Sequence, residues 1–214
     1  AHIFGGEFSM AATSTQGRYI LTLNIYADFN TLTVNNTDPN IQVHFFRKKD
    51  HVKMATSELF PQATTNIIYQ NEACAGTQGL KTVELRYSRE ITLNPALFND
   101  PEGYYIIWER CCRTDGVDNL ENRGRNVGMA FMLEFPALLS NGQFFKNSSP
   151  DIGTPNGDYI CINKPFQMSM KATDADGDEL RYSLVTPLQG YTTSTAVNGT
   201  GQPYSSYPSV TWAP

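Results

Sequence analysis

Tyr104-Tyr105-Ile106-Ile107-Trp108, running on into Glu109-Arg110-Cys111-Cys112-Arg113, is the stretch that decides the fold. Side chains of a strand point alternately to its two faces, so an unbroken apolar run predicts a strand buried on both. Such a strand belongs inside a sandwich, which places Trp108 in a core rather than on a sugar-stacking surface. Outward from it, other segments show alternation on one face only. Tyr19, Leu21, Leu23 and Ile25 alternate with Arg18, Thr22 and Asn24, and Val83, Leu85 and Tyr87 with Glu84, Arg86 and Ser88. Met129, Phe131, Leu133 and Phe135 form a further inward face, as do Phe166, Met168 and Met170. Leu180, Tyr182 and Leu184 alternate with Arg181 and Ser183. Period-two alternation between Gly, Pro, Asn and Asp clusters predicts an all-β chain of sandwich type. Helical signals amount to one turn from Asn94-Pro95 towards Asn99, and a short turn at Ser57-Glu58-Leu59-Phe60 stopped by Pro61.

The chain has 214 residues, more than one typical sandwich and enough for two modest domains. The polar stretch from Ser140 to Pro150 marks the boundary. The expected organisation is two tandem β-sandwiches, 1–145 and 146–214, the second with too few strands to be complete. Val210-Thr211-Trp212-Ala213-Pro214 reads as a strand cut short, so a fragment of a longer protein is expected. The opening Ala1-His2, without Met, is what a processed terminus would look like.

A net charge of −5 and a pI of about 5.2 argue against general binding to nucleic acid or anionic membranes. The one basic cluster, Arg47-Lys48-Lys49, is followed by Asp50 and reads as a solvated strand end or turn, with phosphate binding as the lesser alternative. No apolar run approaches the ~20 residues of a membrane span. Thr, Asn, Ser, Gly and Tyr stand where charge is scarce, a composition common in secreted β proteins.

Catalytic signatures are missing: no nucleophile elbow, phosphate-cradling loop, zinc-hydrolase helix or dinucleotide fingerprint occurs. The histidines are His2, His44 and His51, and His44, between Val43 and Phe45, reads as an exposed strand residue rather than a base. The chain is therefore expected not to be an enzyme.

The four cysteines, Cys74, Cys111, Cys112 and Cys161, lack zinc-type spacing and favour disulfides over buried thiols. Three pairings exist in principle. Cys111 and Cys112 end a strand-like run and should face opposite ways, so each is expected to bond Cys74 or Cys161, with Cys74–Cys111 and Cys112–Cys161 preferred. A second cluster is Asp174-Ala175-Asp176-Gly177-Asp178. Asp174, Asp176 and Asp178 can converge on Ca²⁺, with Asn147, Ser148, Ser149 or Asp151 of the linker adding oxygens. The alternative is an Asp/Gly turn whose carboxylates satisfy backbone N–H groups. The Tyr-rich tail, with Tyr204 and Tyr207 in loop-like context, and Trp212 offer weaker sugar-stacking positions.

Several of these segments resemble one family. His2-Ile3-Phe4-Gly5-Gly6-Glu7-Phe8, the Tyr104–Arg113 strand with its Arg-Cys-Cys-Arg end, and Tyr159-Ile160-Cys161-Ile162-Asn163-Lys164-Pro165-Phe166 are similar to surface proteins of gliding bacteria that leave by the type IX pathway. Thr114 stands where that family usually has Asn, and 28–79 matches little. Residues 172–187 resemble the cadherin-like module of such proteins and of bacterial adhesins. The resemblance implies Ig/cadherin-like sandwiches, an extracellular place on the bacterial cell surface, and Ca²⁺ near the domain junction. It implies a non-enzymatic module of an adhesin or gliding-motility-associated protein, meeting the secretion machinery during export and a glycan or protein partner afterwards. The alternatives are a carbohydrate-binding or carbohydrate-active protein whose catalytic part lies elsewhere, and a stalk or filament subunit.

Overall fold

The computed structural model describes residues 3–31, 37–74, 79–155 and 157–214, which leaves His2 outside the described residues. Strand β1 (Ile3–Ala12) is followed by β2 (Arg18–Asp28), which takes up the alternating run at 18–25, and by β3 (Ile41–Arg47) and β4 (Lys53–Asn66). After the short β5 (Tyr69–Gln70) come β6 (Thr82–Thr92), β7 (Tyr104–Arg110) and β8 (Gly128–Phe135). Four two-residue strands follow: β9 (Leu139–Ser140), β10 (Gln143–Phe144), β11 (Gly157–Asp158) and β12 (Gln189–Gly190). Eight strands join in one curled antiparallel sheet, ordered β1-β2-β6-β4-β3-β7-β8-β12.

β4 turns the corner. From Lys53 to Leu59 it pairs with β3, and from Phe60 to Asn66 with β6. The register shifts between Pro61 and Ala63, and a bulge is where a strand tolerates a residue without an N–H. The turn expected at residues 57–60 is thus strand, because partners on both sides of the bulge supply ladder bonds. Curling brings β1 towards β8, so that a Cβ on Gly6 would stand 3.2 Å from the Phe131 ring.

β7 is buried on both faces, as its composition requires. Tyr104, Ile106 and Trp108 enter the main core with Leu21, Leu23, Val43 and Phe45. Tyr105 and Ile107 point the other way and pack with Phe46 and Tyr207. Burying each such side chain contributes about 1.5–3 kcal/mol. The outer cover comes from the C-terminal part of the chain: β12 pairs with β8, and isolated bridges join Arg110 to Asn198 and Leu120 to Trp212.

Glu109, 3% exposed, fastens that cover. Its Oε2 accepts the N–H groups of Tyr191 (2.7 Å) and Thr192 (3.4 Å), and its Oε1 accepts the Tyr207 hydroxyl (3.1 Å). Burial, and then the Glu109 charge, push the Tyr207 phenol well above its ordinary pKa. Gly199 lies so close to the Glu109 side chain that a Cβ would overlap it, and Gly201, at φ +69°, lies as close to the His44 ring.

The linker is also docked. Met10 and Ala12 donate N–H to Ser149 Oγ (2.9 Å) and Ser148 Oγ (3.1 Å), and Ser149 N–H returns to the Met10 carbonyl (2.8 Å). Three expected strands did not form, and of these 210–214 keeps only the isolated bridge between Leu120 and Trp212. Residues 166–170 and 180–184 keep their alternation but join no ladder among the described residues. Met168, Met170, Tyr182 and Leu184 are exposed there, since an alternating segment with no strand beside it has neither a hydrogen-bonding partner nor a face to cover. No helix among the described residues is long and apolar enough to cross a membrane.

Glu109→Ala is expected to lower unfolding free energy by about 2–4 kcal/mol, because the buried Thr192 N–H and Tyr207 hydroxyl and the part-buried Tyr191 N–H lose their acceptor. Urea denaturation measures the loss, and limited proteolysis should cut first between residues 187 and 213. An unchanged midpoint would mean that the cover does not depend on this carboxylate.

Candidate functional site

All four cysteines are bonded, in a pairing different from the one expected: Cys74 to Cys161 and Cys111 to its neighbour Cys112. The expectation rested on strand alternation continuing through Cys112. Strand β7 ends at Arg110, so strand alternation does not govern the two side chains.

The Cys74–Cys161 bond ties segments 87 residues apart, and beside it lies a cleft of about 590 Å³. Its walls form where β4 gives way to irregular chain. Ile67 N–H donates to the Thr82 carbonyl (2.9 Å) and Phe29 N–H to the Lys81 carbonyl (2.7 Å). β5 and β11 pair in parallel and bring Tyr69 and Tyr159 together, ring centroids 4.8 Å apart and tilted by 32°. Both hydroxyls are fixed: Tyr69 Oη lies 2.6 Å from Thr82 Oγ1, and Tyr159 Oη accepts the Leu80 N–H at 2.5 Å. Phe29, Asn66, Glu72 and Lys81 complete the lining. Sequence reading missed this site, because its residues lie outside periodic segments. The signal was the nearness of Tyr69 to Cys74 and of Tyr159 to Cys161, which becomes informative only once that pairing is known.

The Asp loop lies against the linker, but the Asp174 and Asp176 carboxylates serve backbone groups. Asp174 Oδ1 accepts the N–H groups of Asp176 (2.8 Å) and Asp178 (3.1 Å). Asp176 Oδ2 accepts Ser148 N–H at 2.6 Å, while Asn147 Nδ2 donates to the Ser148 carbonyl at 3.1 Å. Among the described residues no three His, Cys, Asp or Glu side chains gather as a metal cage. The Asp176 charge is felt nearby: Tyr19 is pushed up to about 12 by burial first and by Asp176 second.

A second cavity, about 680 Å³, lies between the β1-β2-β6 face and the linker and holds Glu7, Asn24, Glu84 and Asp151. Glu7 Oε1 accepts Asn24 Nδ2 (2.9 Å) and the Tyr26 hydroxyl (2.8 Å), and burial raises its carboxyl pKa. Those bonds hold the carboxylate against the sheet.

Other sequence candidates resolve structurally. Trp108 is buried and stacks on Phe131. Tyr207 is buried, and Tyr204 packs on His51 and Tyr105, so neither is the open platform expected of the tail. Trp212 is about half exposed. The Arg47-Lys48-Lys49 cluster does mark a strand end, with Arg47 bonded to Asp50 and Lys48 to Glu134. His44 is buried rather than exposed, because the C-terminal cover lies over its face; its Nδ1 is 3.1 Å from Thr56 Oγ1. Burial first, and the Lys53 charge second, lower its pKa from 6.5 to about 4. No family model, curated protein or solved structure matches the chain.

Two outcomes are expected. Non-reducing peptide mapping should recover a 74–161 crosslink and an oxidised peptide containing both Cys111 and Cys112; replacing Cys74 and Cys161 together with Ser should cost about 2–5 kcal/mol. Four alkylatable thiols in the native protein would contradict this. His44 binds its proton more readily unfolded than folded, so its contribution is complete above pH 6.5 and is lost as pH falls towards about 4. Thermal midpoints measured across that window should fall less steeply for His44→Gln than for wild type, and parallel curves would refute the assignment.

Proposed function

We propose that the chain is a non-enzymatic, extracellular module of a bacterial cell-surface protein, of the adhesin or gliding-motility-associated kind. The observation that carries this is the pairing of all four cysteines, since disulfides persist in oxidising surroundings outside the cytosol. The resemblance of Tyr104–Arg113 and residues 172–187 to type IX-exported surface proteins supports the same placement. The buried carboxylate Glu109 and the buried imidazole His44 are both held in structural contacts. A disulfide-tied cleft suits binding without chemistry.

Two tandem Ig/cadherin-like sandwiches, 1–145 and 146–214, are the finer form of the proposal, with the second unit also lending Gln189–Gly190 and the residues around Asn198 and Tyr207 to the cover of β7 and β8. The exposed alternation at Met168, Met170, Tyr182 and Leu184 supports a second sheet that further strands would complete. Calcium at Asp174, Asp176, Asp178 and Asn147 belongs to that form and requires the loop to exchange backbone N–H bonds for a cation.

Antibody against residues 1–214 is expected to label intact source cells without permeabilisation. Labelling only after permeabilisation, or turnover of a substrate by the purified chain, would overturn the proposal. For the calcium part, millimolar Ca²⁺ should raise the thermal midpoint of wild type and not of Asp178→Asn. Equal midpoints with Ca²⁺ and with chelator would remove the metal and leave the module.

A further inference from the structure

We propose that the cleft lined by Phe29, Tyr69 and Tyr159 binds a neutral sugar ring of an oligosaccharide. The proposal rests on the surface-module reading and names what its cleft recognises. A pyranose has C–H groups on its ring faces and hydroxyls around its edge. It therefore needs an aromatic surface for the first and paired donors and acceptors for the second.

The cleft supplies both. Phe29 is 52% exposed and Leu80 50% exposed, so among the described residues apolar surface faces solvent here. C–H groups over an aromatic face form weak but directional contacts, and covering that surface adds a hydrophobic gain. Around it, the Asn66 amide offers donor and acceptor, Glu72 offers two acceptor oxygens and Lys81 three donors. A hydroxyl that both donates and accepts can use all of these. A phosphate or a carboxylate would find Glu72 beside Lys81 and no excess of positive charge.

Rigidity and size agree with this occupant. The tyrosine hydroxyls are held by Thr82 and Leu80, and the Cys74–Cys161 bond ties the chain two residues beyond Glu72 to the chain two residues beyond Tyr159. Little ordering is then required when a weakly binding polyol arrives. A volume of about 590 Å³ lies within the range of small-ligand clefts. The opening to solvent lets the rest of an oligosaccharide chain leave the site. The larger cavity at Glu7 differs in kind, being lined by several carboxylates that favour a cationic group.

The test is a printed array of neutral and acidic oligosaccharides probed with residues 1–214, followed by calorimetry on the best neutral ligand. Phe29 and Glu72 lie at the surface, so Phe29→Ala and Glu72→Gln should fold with unchanged thermal midpoints. Each is expected to weaken binding by about fivefold or more, the effect of losing one aromatic or charged contact. Trp212→Ala, at an exposed aromatic elsewhere, should leave affinity unchanged. Absence of any neutral ligand at millimolar concentration overturns the proposal, as does preference for acidic glycans or peptides, or affinity that depends on Trp212 and not on Phe29. If surface labelling of intact cells succeeds while the array is blank, the sugar site alone falls. Neutral-glycan binding without surface labelling supports the site and removes the placement.

Discussion

The acceptor capacity of one buried carboxylate organises the outer half of this molecule. β7 places Tyr105, Ile107 and Glu109 on the face opposite the main core, and a carboxylate there is tolerable only if its oxygens are hydrogen-bonded. The donors come from Tyr191, Thr192 and Tyr207, far along the chain. Satisfying Glu109 therefore requires the C-terminal segment to lie across β7, and that segment buries Tyr105, Ile107 and His44 as it passes. The glycines follow from the same constraint, since Gly190, Gly199 and Gly201 are where the backbone crosses Glu109 and His44 too closely for a side chain. Hydrophobic cover and polar satisfaction are two consequences of one placement.

The sheet edges show a related economy. An exposed edge strand carries unpaired backbone groups that invite further pairing. At β1 the hydroxyls of Ser148 and Ser149 take the place of a neighbouring strand's carbonyls, and Asp176 anchors the Ser148 amide. A stretch whose composition says linker is thereby held to the sheet. At the other edge β12 is only two residues long, which leaves little ladder to extend.

Legibility divided along the same line. β2, β6, β7 and β8 were readable because period-two burial is a local property, and the doubly apolar run at Tyr104–Trp108 correctly announced a covered strand. What covered it was not local. His44 sits on the face that alternation assigned it, yet that face is buried by Gly201 and its neighbours, which no window around His44 contains. Pro61 looked like a stop because a bulge with different partners on each side is invisible from one strand. The cysteine pairing failed for the opposite reason: a local rule was extended past Arg110, where the strand ends. At 166–184 the pattern was present and the ladder was not, since alternation states which face would be buried and cannot provide the strand that buries it.

The cleft was the least legible element, and this follows from how it is built. Most strand aromatics are buried against one another, with Phe60 of β4 an exposed one, and the clustered aromatic surface of the cleft comes from chain that leaves the ladder. Phe29, Tyr69 and Tyr159 all lie in or beside very short elements, where the ladder fixes little. Irregular chain is ordinarily a poor scaffold for recognition, because ordering it on binding opposes affinity. Here a covalent bond between Cys74 and Cys161, two anchored tyrosine hydroxyls and a two-residue parallel pair perform the ordering beforehand. The large sheet supplies a fixed base through β4 and β6, the disulfide ties the loop at Cys74 to the loop at Cys161, and these loops present side chains that a strand would have buried.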